Sequence, residues 1–490
     1  MRRPLSLARG LVWFRSDLRM QDNSALYRAS QCCEYLAALF IACPHNWKSH
    51  GEGDALVAFR MACLHELQTR LQTRNIPLYC LNISTFSQVP KALQQVALRL
   101  KIEGVFANAE YPINEQRRDH AVRDILCKSG IHIEYYSDRT LLPPGSVRTG
   151  NGEPYKVFTP FKRTLLQLCA ESAVNPLPVP RKMPILDGGS HWPKWLEMGR
   201  GVRLTQKIPS QLPHYSIDNT VTGMVKGWKA GEKEAQKRLK LFGERITRYQ
   251  AERDFPALDS TSRLSPYLNS GAISIRQCAY MALSLNDGNW QGGSEGIACW
   301  ISELIWREFY THLLVDFPRL SKGQPFKLET ERIPWVYNQK LFDCWGRGET
   351  GVPIVDAAMH QLNESAWMHN RLRMIVASFL SKNMLIDWRW GERYFMQHLI
   401  DGDFASNNGG WQWTASTGTD AAPYFRVFNP YSQSQKFDPD GTFIRRYIPE
   451  LASLNNREIH NPPPVSGYPQ VICDVGAGRK RAIAVFARLK

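Results

Sequence analysis

The chain has 490 residues, 43% hydrophobic and 11% aromatic, with 15 tryptophans, and Lys plus Arg exceed Asp plus Glu by 16. That length accommodates two or three domains, each with its own core. No stretch reaches the roughly 18 uninterrupted apolar residues of a membrane helix. The basic start "MRRPLSLARG" runs into "LVWF", too short for a signal-peptide core, so the expectation is a soluble protein of the cytoplasm. Eleven cysteines, an odd number without C-x-x-C spacing, read as reduced thiols. The absence of H-E-x-x-H, P-loop and G-x-G-x-x-G motifs leaves no sequence support for zinc-protease, P-loop or dinucleotide-fingerprint chemistry. The positive excess and a pI near 9.4 suit a polyanion, nucleic acid foremost, although general solubility is the bland alternative.

In chain order, "LVWF" (11–14), "YLAALFIA" (35–42), "PLYCLNI" (77–83), "GVFAN" (104–108) and "IHIEYY" (131–136) are short β-rich runs. Amphipathic patterns at 54–74 and 115–127 lie between them, and Asp22 and Asn23 are candidate caps for the first helix. Such alternation predicts an α/β domain over 8–136, with a parallel, Rossmann-like sheet covered on both faces. Pro- and Gly-rich sequence over 137–215, with one helix near 159–171, reads as a long linker. Helical periodicity then dominates, predicting a large all-α domain over 216–470, followed by a basic tail over 471–490.

Four constellations carry chemistry. In "WMHNRLRM", Trp367, Asn370, Arg371 and Met374 fall on one face if the segment is continuous helix. They would wall a pocket for a flat polar ligand, or form an ordinary helix with a snorkelling arginine. In "WISELIWREFYTHLL", Trp300, Glu303, Arg307 and Tyr310 share a face. A carboxylate among aromatics either binds something or pairs with Arg307 at i+4. In "TSRLSPYL", hydroxyls precede Ser265-Pro266, read as N-cap and N1: an anion site or simply a capped loop. In "DGDFASNNGGWQW", Asp401, Asp403, Asn407 and Asn408 form a polar loop, and Gly409 and Gly410 permit close backbone approach. Trp411 and Trp413, two residues apart, point in nearly opposite directions on a helix or a strand.

Together with "YKVFTPFK", "GVPIVDAAM" and "DWRWGERYFM", these segments resemble the photolyase/cryptochrome family, and within it the bacterial class I cyclobutane pyrimidine dimer (CPD) photolyases with a folate antenna. The resemblance covers nearly the whole chain. It implies light-driven DNA repair by electron transfer from excited reduced FAD, with damaged DNA as partner and a monomer as the default state. It implies that Tyr249, Thr261, Ser262, Arg263, Leu264, Ser265 and Trp300 line FAD. Asp401, Gly402 and Asp403 would lie near the flavin, with Arg373 paired to Asp401 and Asn407 at N5. Glu303, Asn370, Met374, Trp306 and Trp413 would meet the dimer, and Arg253, Arg307 and Arg371 the DNA. Trp411, Trp388 and Trp335 match a tryptophan chain from flavin to surface that feeds electrons inward. Trp390 reads as a side branch or as packing, packing being the simpler reading. In "YPINEQRRD", Asn114 and Glu115 would bind methenyltetrahydrofolate, with Lys322 contributing from the α-domain; helix capping is the alternative for the first two. A cryptochrome photoreceptor fits less well, because Asn407 cannot ionise and the tail is short. A (6-4) photolyase would carry histidines where this chain has Asn370 and Met374.

Overall fold

A computed structural model of the protein describes residues 6–171, 174–186, 192–198, 203–215 and 219–489. Parts of the expected linker (172–173, 187–191 and 199–202), the expected start of the all-α domain (216–218), the first five residues and the last one lie outside the described residues. The chain divides into two compact units: Met1–Pro154 with Lys162–Glu244 and Ser262–Gly293, and Tyr155–Phe161 with Arg245–Thr261 and Ser294–Lys490.

The first unit is α/β. Strands β1 (Leu7–Phe14), β2 (Cys33–Ala42), β3 (Leu78–Asn82), β4 (Gly104–Asn108) and β5 (His132–Tyr136) form a parallel sheet in the order β5-β4-β1-β2-β3. Leu11 of β1 pairs with Ala37 of β2 and Val105 of β4. The last five residues of β1, Gly10 to Phe14, are buried, as expected of a strand covered on both faces. Helices α1 (Ser24–Cys32), α2 (Asp54–Gln72), α3 (Val89–Arg99) and α4 (Ile113–Lys128) connect the strands. Asn23 caps α1, its Oδ1 accepting from Leu26 N–H at 3.0 Å. Asp22 is not the cap: it is fully buried at φ 57 and binds Arg276 Nε at 3.0 Å. Within the stretch expected as linker, β6 (Trp195–Glu197) and β7 (Arg203–Thr205) extend the sheet, β7 pairing antiparallel with β3.

The second unit is helical. Its principal helices are α5 (Glu295–Asp316), α6 (Pro353–Ser365), α7 (Asn370–Ser378), α8 (Trp388–His398), α9 (Phe404–Ala415) and α10 (Val475–Ala487). The apolar faces of α6 to α10 meet in one core that holds Trp335, Trp345, Trp388 and Trp411 together with Leu372, Phe395 and Phe443. The basic tail is ordered as α10: Asp474 accepts from Ala477 N–H at 3.0 Å, and Phe486 docks on the core. Among the described residues no helix is long and apolar enough to cross a membrane.

Candidate functional site

Helix α9 packs against α8 and α5 at glycines. A Cβ on Gly391 would lie 2.1 Å from the Trp411 ring, and one on Gly409 would lie 2.2 Å from Tyr310. Each glycine costs roughly 1 kcal/mol of helix propensity, offset here by packing that no larger residue allows. Gly410 differs, since open space faces its Cα. Asp403 starts α9, its carboxylate accepting from Ser406 N–H at 2.9 Å. Asp403, Asn407 and Asn408 therefore belong to a capped helix and not to the polar loop expected. Trp411 is 2% exposed, whereas Trp413, 200° around the helix, is only half-buried, so the two indoles do serve different surroundings.

Asn407 donates through Nδ2 to the Glu392 carbonyl at 2.9 Å, and Asn408 donates to the Glu392 carboxylate at 2.8 Å. Glu392 was missed in the sequence, although it lies four residues after Trp388 and so shares its buried face. Burial pushes its carboxyl up to about 7, against the opposing Asn408 hydrogen bond. The folded state thus binds this proton more tightly than the unfolded chain does. The resulting stabilisation is present below the ordinary carboxyl value of 4.5 and is lost as pH rises through about 7. Melting curves between about pH 5 and 8 are expected to show the parent losing stability relative to Glu392→Gln as pH rises. Parallel curves would place the proton elsewhere.

Arg373 Nη2 donates to both Asp401 oxygens at 2.8 and 3.0 Å, and the Asp401 side chain is only 2% exposed. Gly402 is buried beside it.

A second cluster joins α5 to residues 249–254. Arg253 donates to Glu303 Oε1 at 2.6 Å and lies over the ring of buried Tyr249. Arg371 binds Asp254 at 2.5 Å and stacks over Phe437. Glu303 is thus held by Arg253, and both arginines expected at DNA already carry carboxylate partners. Trp300 is buried on the same helix, and Arg307 is half-buried there. One face of Trp306 is stacked on Phe158 at 3.6 Å, so only its remaining surface is open to a ligand.

The helical face proposed for "WMHNRLRM" is incorrect at its first residue. Ala366, in the left-handed region at φ 54, ends α6, and α7 begins only at Asn370. Trp367 sits in the connection, and His369 is the N-cap, its Nδ1 accepting from Arg371 N–H at 3.2 Å. His369 is buried, which holds its imidazole down at about 4 and therefore neutral. Asn370 is exposed, and Met374 Sδ lies 3.9 Å from Arg371 Nη1.

The three expected electron-transfer tryptophans share one core, and the expected outer member keeps a small exposed surface. Trp335 is 8% exposed, with Phe486 of α10 against its ring. Trp345, also missed, packs edge-on to Trp411 at 6.1 Å. Nothing in "LFDCWGRG" separates it from an ordinary core aromatic.

Thr261 belongs to the helical unit and accepts from Arg245 Nη2 through its carbonyl at 3.4 Å. Ser262, Arg263, Leu264 and Ser265 belong to the α/β unit. Leu264 N–H donates to Ser262 Oγ at 3.4 Å, and Arg263 holds φ 50. The short helix Ser265–Ser270 has Leu264 and not Ser265 in the cap position, and no side-chain cap bond forms. Ser265-Pro266 therefore enters the helix one residue earlier than expected, a shift within the usual uncertainty of helix ends. On α4, Asn114 Nδ2 lies 3.0 Å from His50 Nε2, and Glu115 Oε1 lies 3.7 Å from His50 Nδ1. Pro112, not Asn114, occupies the N-cap. Glu115 Oε2 is buried without a hydrogen-bond partner, and burial raises this carboxyl to about 7. Lys322 is exposed in the helical unit.

Residues 10–181 match the model of the DNA photolyase family, and residues 300–488 match the FAD binding domain of DNA photolyase. A deoxyribodipyrimidine photo-lyase of Vibrio cholerae is 43% identical over 98% of this chain and 99% of its own length. The chain belongs to the DNA photolyase family. Within that family, a class III photolyase structure from Agrobacterium tumefaciens superposes with a TM-score of 0.83 at 32% identity, covering 100% of this chain and 99% of its own. A Sulfolobus tokodaii photolyase structure with two FAD molecules, described as implying a novel light-harvesting cofactor, gives 0.78 at 30% identity over 98% of this chain and all of its own.

Proposed function

We propose that this protein is a DNA repair lyase that splits cyclobutane pyrimidine dimers in light, acting as a monomer on DNA. The observation that carries this reading is the near-full-length likeness to relatives named deoxyribodipyrimidine photo-lyase, 43% identical in Vibrio cholerae and 41% in Escherichia coli.

The residues present fit a flavin. Asp401 is a carboxylate paired with Arg373, Asn407 is a neutral amide already committed through Nδ2, and open space faces Gly410. When bound, the reduced FAD supplies the excited electron that opens the cyclobutane ring and then returns. An amide at Asn407 adds no negative charge where the anionic reduced form must persist. Tyr249, Trp300, Thr261, Ser262, Arg263, Leu264, Ser265, Gly402 and Asp403 complete the cofactor set in this reading.

On the substrate side, a dimer must leave the duplex. Such extrusion, which photolyases use, costs a few kcal/mol and least for damaged bases. Glu303, fixed by Arg253, would bind the base edges together with Asn370, above Met374. Trp413 and the open surface of Trp306 would flank the dimer, and a stacked base contributes about 1–3 kcal/mol. Arg307 and Arg371 would meet phosphates, Arg371 by exchanging Asp254 for DNA. Glu303→Ala is expected to lower repair per absorbed photon several-fold while FAD stays bound. Loss of FAD from this variant would make Glu303 structural instead.

The antenna in this reading is methenyltetrahydrofolate. The unpartnered Glu115 Oε2 beside Asn114 suits the amidine-like edge of a pterin, which offers paired N–H donors. Lys322 is the third expected residue. Glu115→Ala should remove the near-ultraviolet antenna absorbance and leave the flavin bands.

A further inference from the structure

Among the described residues one lysine is buried, Lys382, which is 1% exposed. It lies in a π-helical turn, Phe379–Asn383, that continues α7. Such turns are frequent at functional sites. No carboxylate offsets its charge among the described residues; burial, and after it Lys327, hold the ammonium down at about 7. A buried cation without a counter-charge is costly, and its hydrogen bonds show what it secures. Nζ donates to Ser416 Oγ at 2.7 Å and to the Arg426 carbonyl at 3.3 Å. These are the two ends of the loop that follows α9, so one ammonium buckles the loop shut. The loop folds back onto Trp413, whose carbonyl accepts from Ser416 N–H at 3.3 Å and from Ala422 N–H at 3.1 Å. Ser416 Oγ in turn donates to the Ala422 carbonyl at 2.6 Å. Midway along the loop, Asp420 accepts from Phe158 N–H at 3.0 Å, and Phe158 is the ring stacked on Trp306. All of these residues belong to the helical unit.

We infer that Lys382 is a positioning residue for lesion recognition: by closing the loop from Ser416 to Arg426 it holds Trp413 directly, and Trp306 through Asp420 and Phe158, ready to flank a dimer. This rests on the reading of Trp413 and Trp306 as the dimer's flanks. Ser416 sits at φ 62, a conformation disfavoured for a residue with a Cβ, and it needs a bond that offsets the strain. The bond from an ammonium is roughly twice as strong as one between neutral groups. A loop ordered before binding need not be ordered by the ligand, and that saving appears as affinity. Without the ammonium the loop opens at both ends, and the dimer must close it. Binding weakens, while the chemistry on a dimer already bound does not change.

The test compares the FAD-loaded parent with Lys382→Met, Ser416→Gly and the double variant. Replacing a buried charge by an apolar chain of similar size is often neutral or stabilising, so Lys382→Met should keep its melting temperature and FAD content. Ser416→Gly removes the hydroxyl and suits the left-handed backbone. Binding is measured with a labelled oligonucleotide carrying one thymine dimer and with its undamaged counterpart. Repair per absorbed photon is measured with all the dimer bound, and hydrogen exchange is followed over residues 416–426. Both single variants are expected to bind the dimer several-fold more weakly, to bind undamaged DNA and repair bound dimers like the parent, and to exchange faster in the loop. The double variant should bind no worse than the weaker single one, because the two groups act in one path. Dimer affinity like the parent's in Lys382→Met overturns the inference. So does weaker binding that comes with a lower melting temperature and lost FAD, which would make Lys382 structural. Losses that add in the double variant overturn the route through Ser416. If Lys382→Met does not fold, parent-like dimer binding by Ser416→Gly overturns the inference instead. A parent that binds the dimer no better than undamaged DNA sinks the lesion reading itself. A dimer-selective parent whose variants exchange faster yet bind equally well sinks only the positioning role.

Discussion

Trp411→Phe is expected to photoreduce oxidised FAD on the order of a hundredfold more slowly than the parent, because a benzene ring is much harder to oxidise than an indole and a barrier rise of about 2.7 kcal/mol already suffices. The substitution keeps an aromatic ring beside Phe395 at 5.0 Å and Trp345 at 6.1 Å, and it relieves no clash, since Gly391 already accommodates the larger ring. The fold and the bound cofactor should therefore persist. Chemical reduction of the flavin bypasses the donor, so dimer splitting by the pre-reduced variant should largely return. Trp413→Ala, on the opposite side of α9, should do the reverse: weaker dimer binding with photoreduction mostly intact. Paired photoreduction and binding measurements on the two variants check the division, which fails if both lose the same property.

Arg373→Ala is expected to destabilise the helical unit by about 3–5 kcal/mol, the cost of leaving a buried charge without its partner. Asp401 is 2% exposed at its side chain, and both its oxygens accept from Arg373 Nη2. The guanidinium also donates from Nε to the Met368 carbonyl at 2.9 Å, which ties the α6–α7 connection to the same pair. Removal of Arg373 thus strands a carboxylate and a carbonyl together. Urea unfolding followed by helix signal measures the loss. Asp401→Asn in the same chain removes the stranded charge and should recover more than half of the stability. If the double variant is no better than the single one, lost packing and not the bare carboxylate carries the cost.

Much of the fold could be read from the sequence because its signals are local. All five parallel strands lie where β-rich runs alternate with helical periodicity, and β4 coincides with "GVFAN". The discrepancies arise where a terminus lacks its usual residue. Ala366 ends α6 in a left-handed conformation that normally selects glycine, so nothing marks the break before Trp367. Leu264 occupies a cap position without a capping side chain, which hides the true start at Ser265. β6 and β7 are three residues each and depend on the edge of β3, a partner that short-range periodicity does not reveal. At the site, the Arg373–Asp401 pair and the opposed surroundings of Trp411 and Trp413 were legible. The carboxylate partners of Arg253 and Arg371 required three-dimensional proximity. So did the cover that α10 places over Trp335, because a basic sequence gives no sign that Phe486 will pack inward.

The central claim is that this chain repairs dimers with light. Its most direct measurement is the number of thymine dimers remaining in irradiated DNA after incubation with the FAD-loaded, reduced protein, in near-ultraviolet or blue light and in darkness. The account predicts that dimers disappear in the light and persist in the dark. A protein that holds FAD and leaves the dimers intact in the light would contradict it, and would point to the signalling photoreceptor that the family also contains.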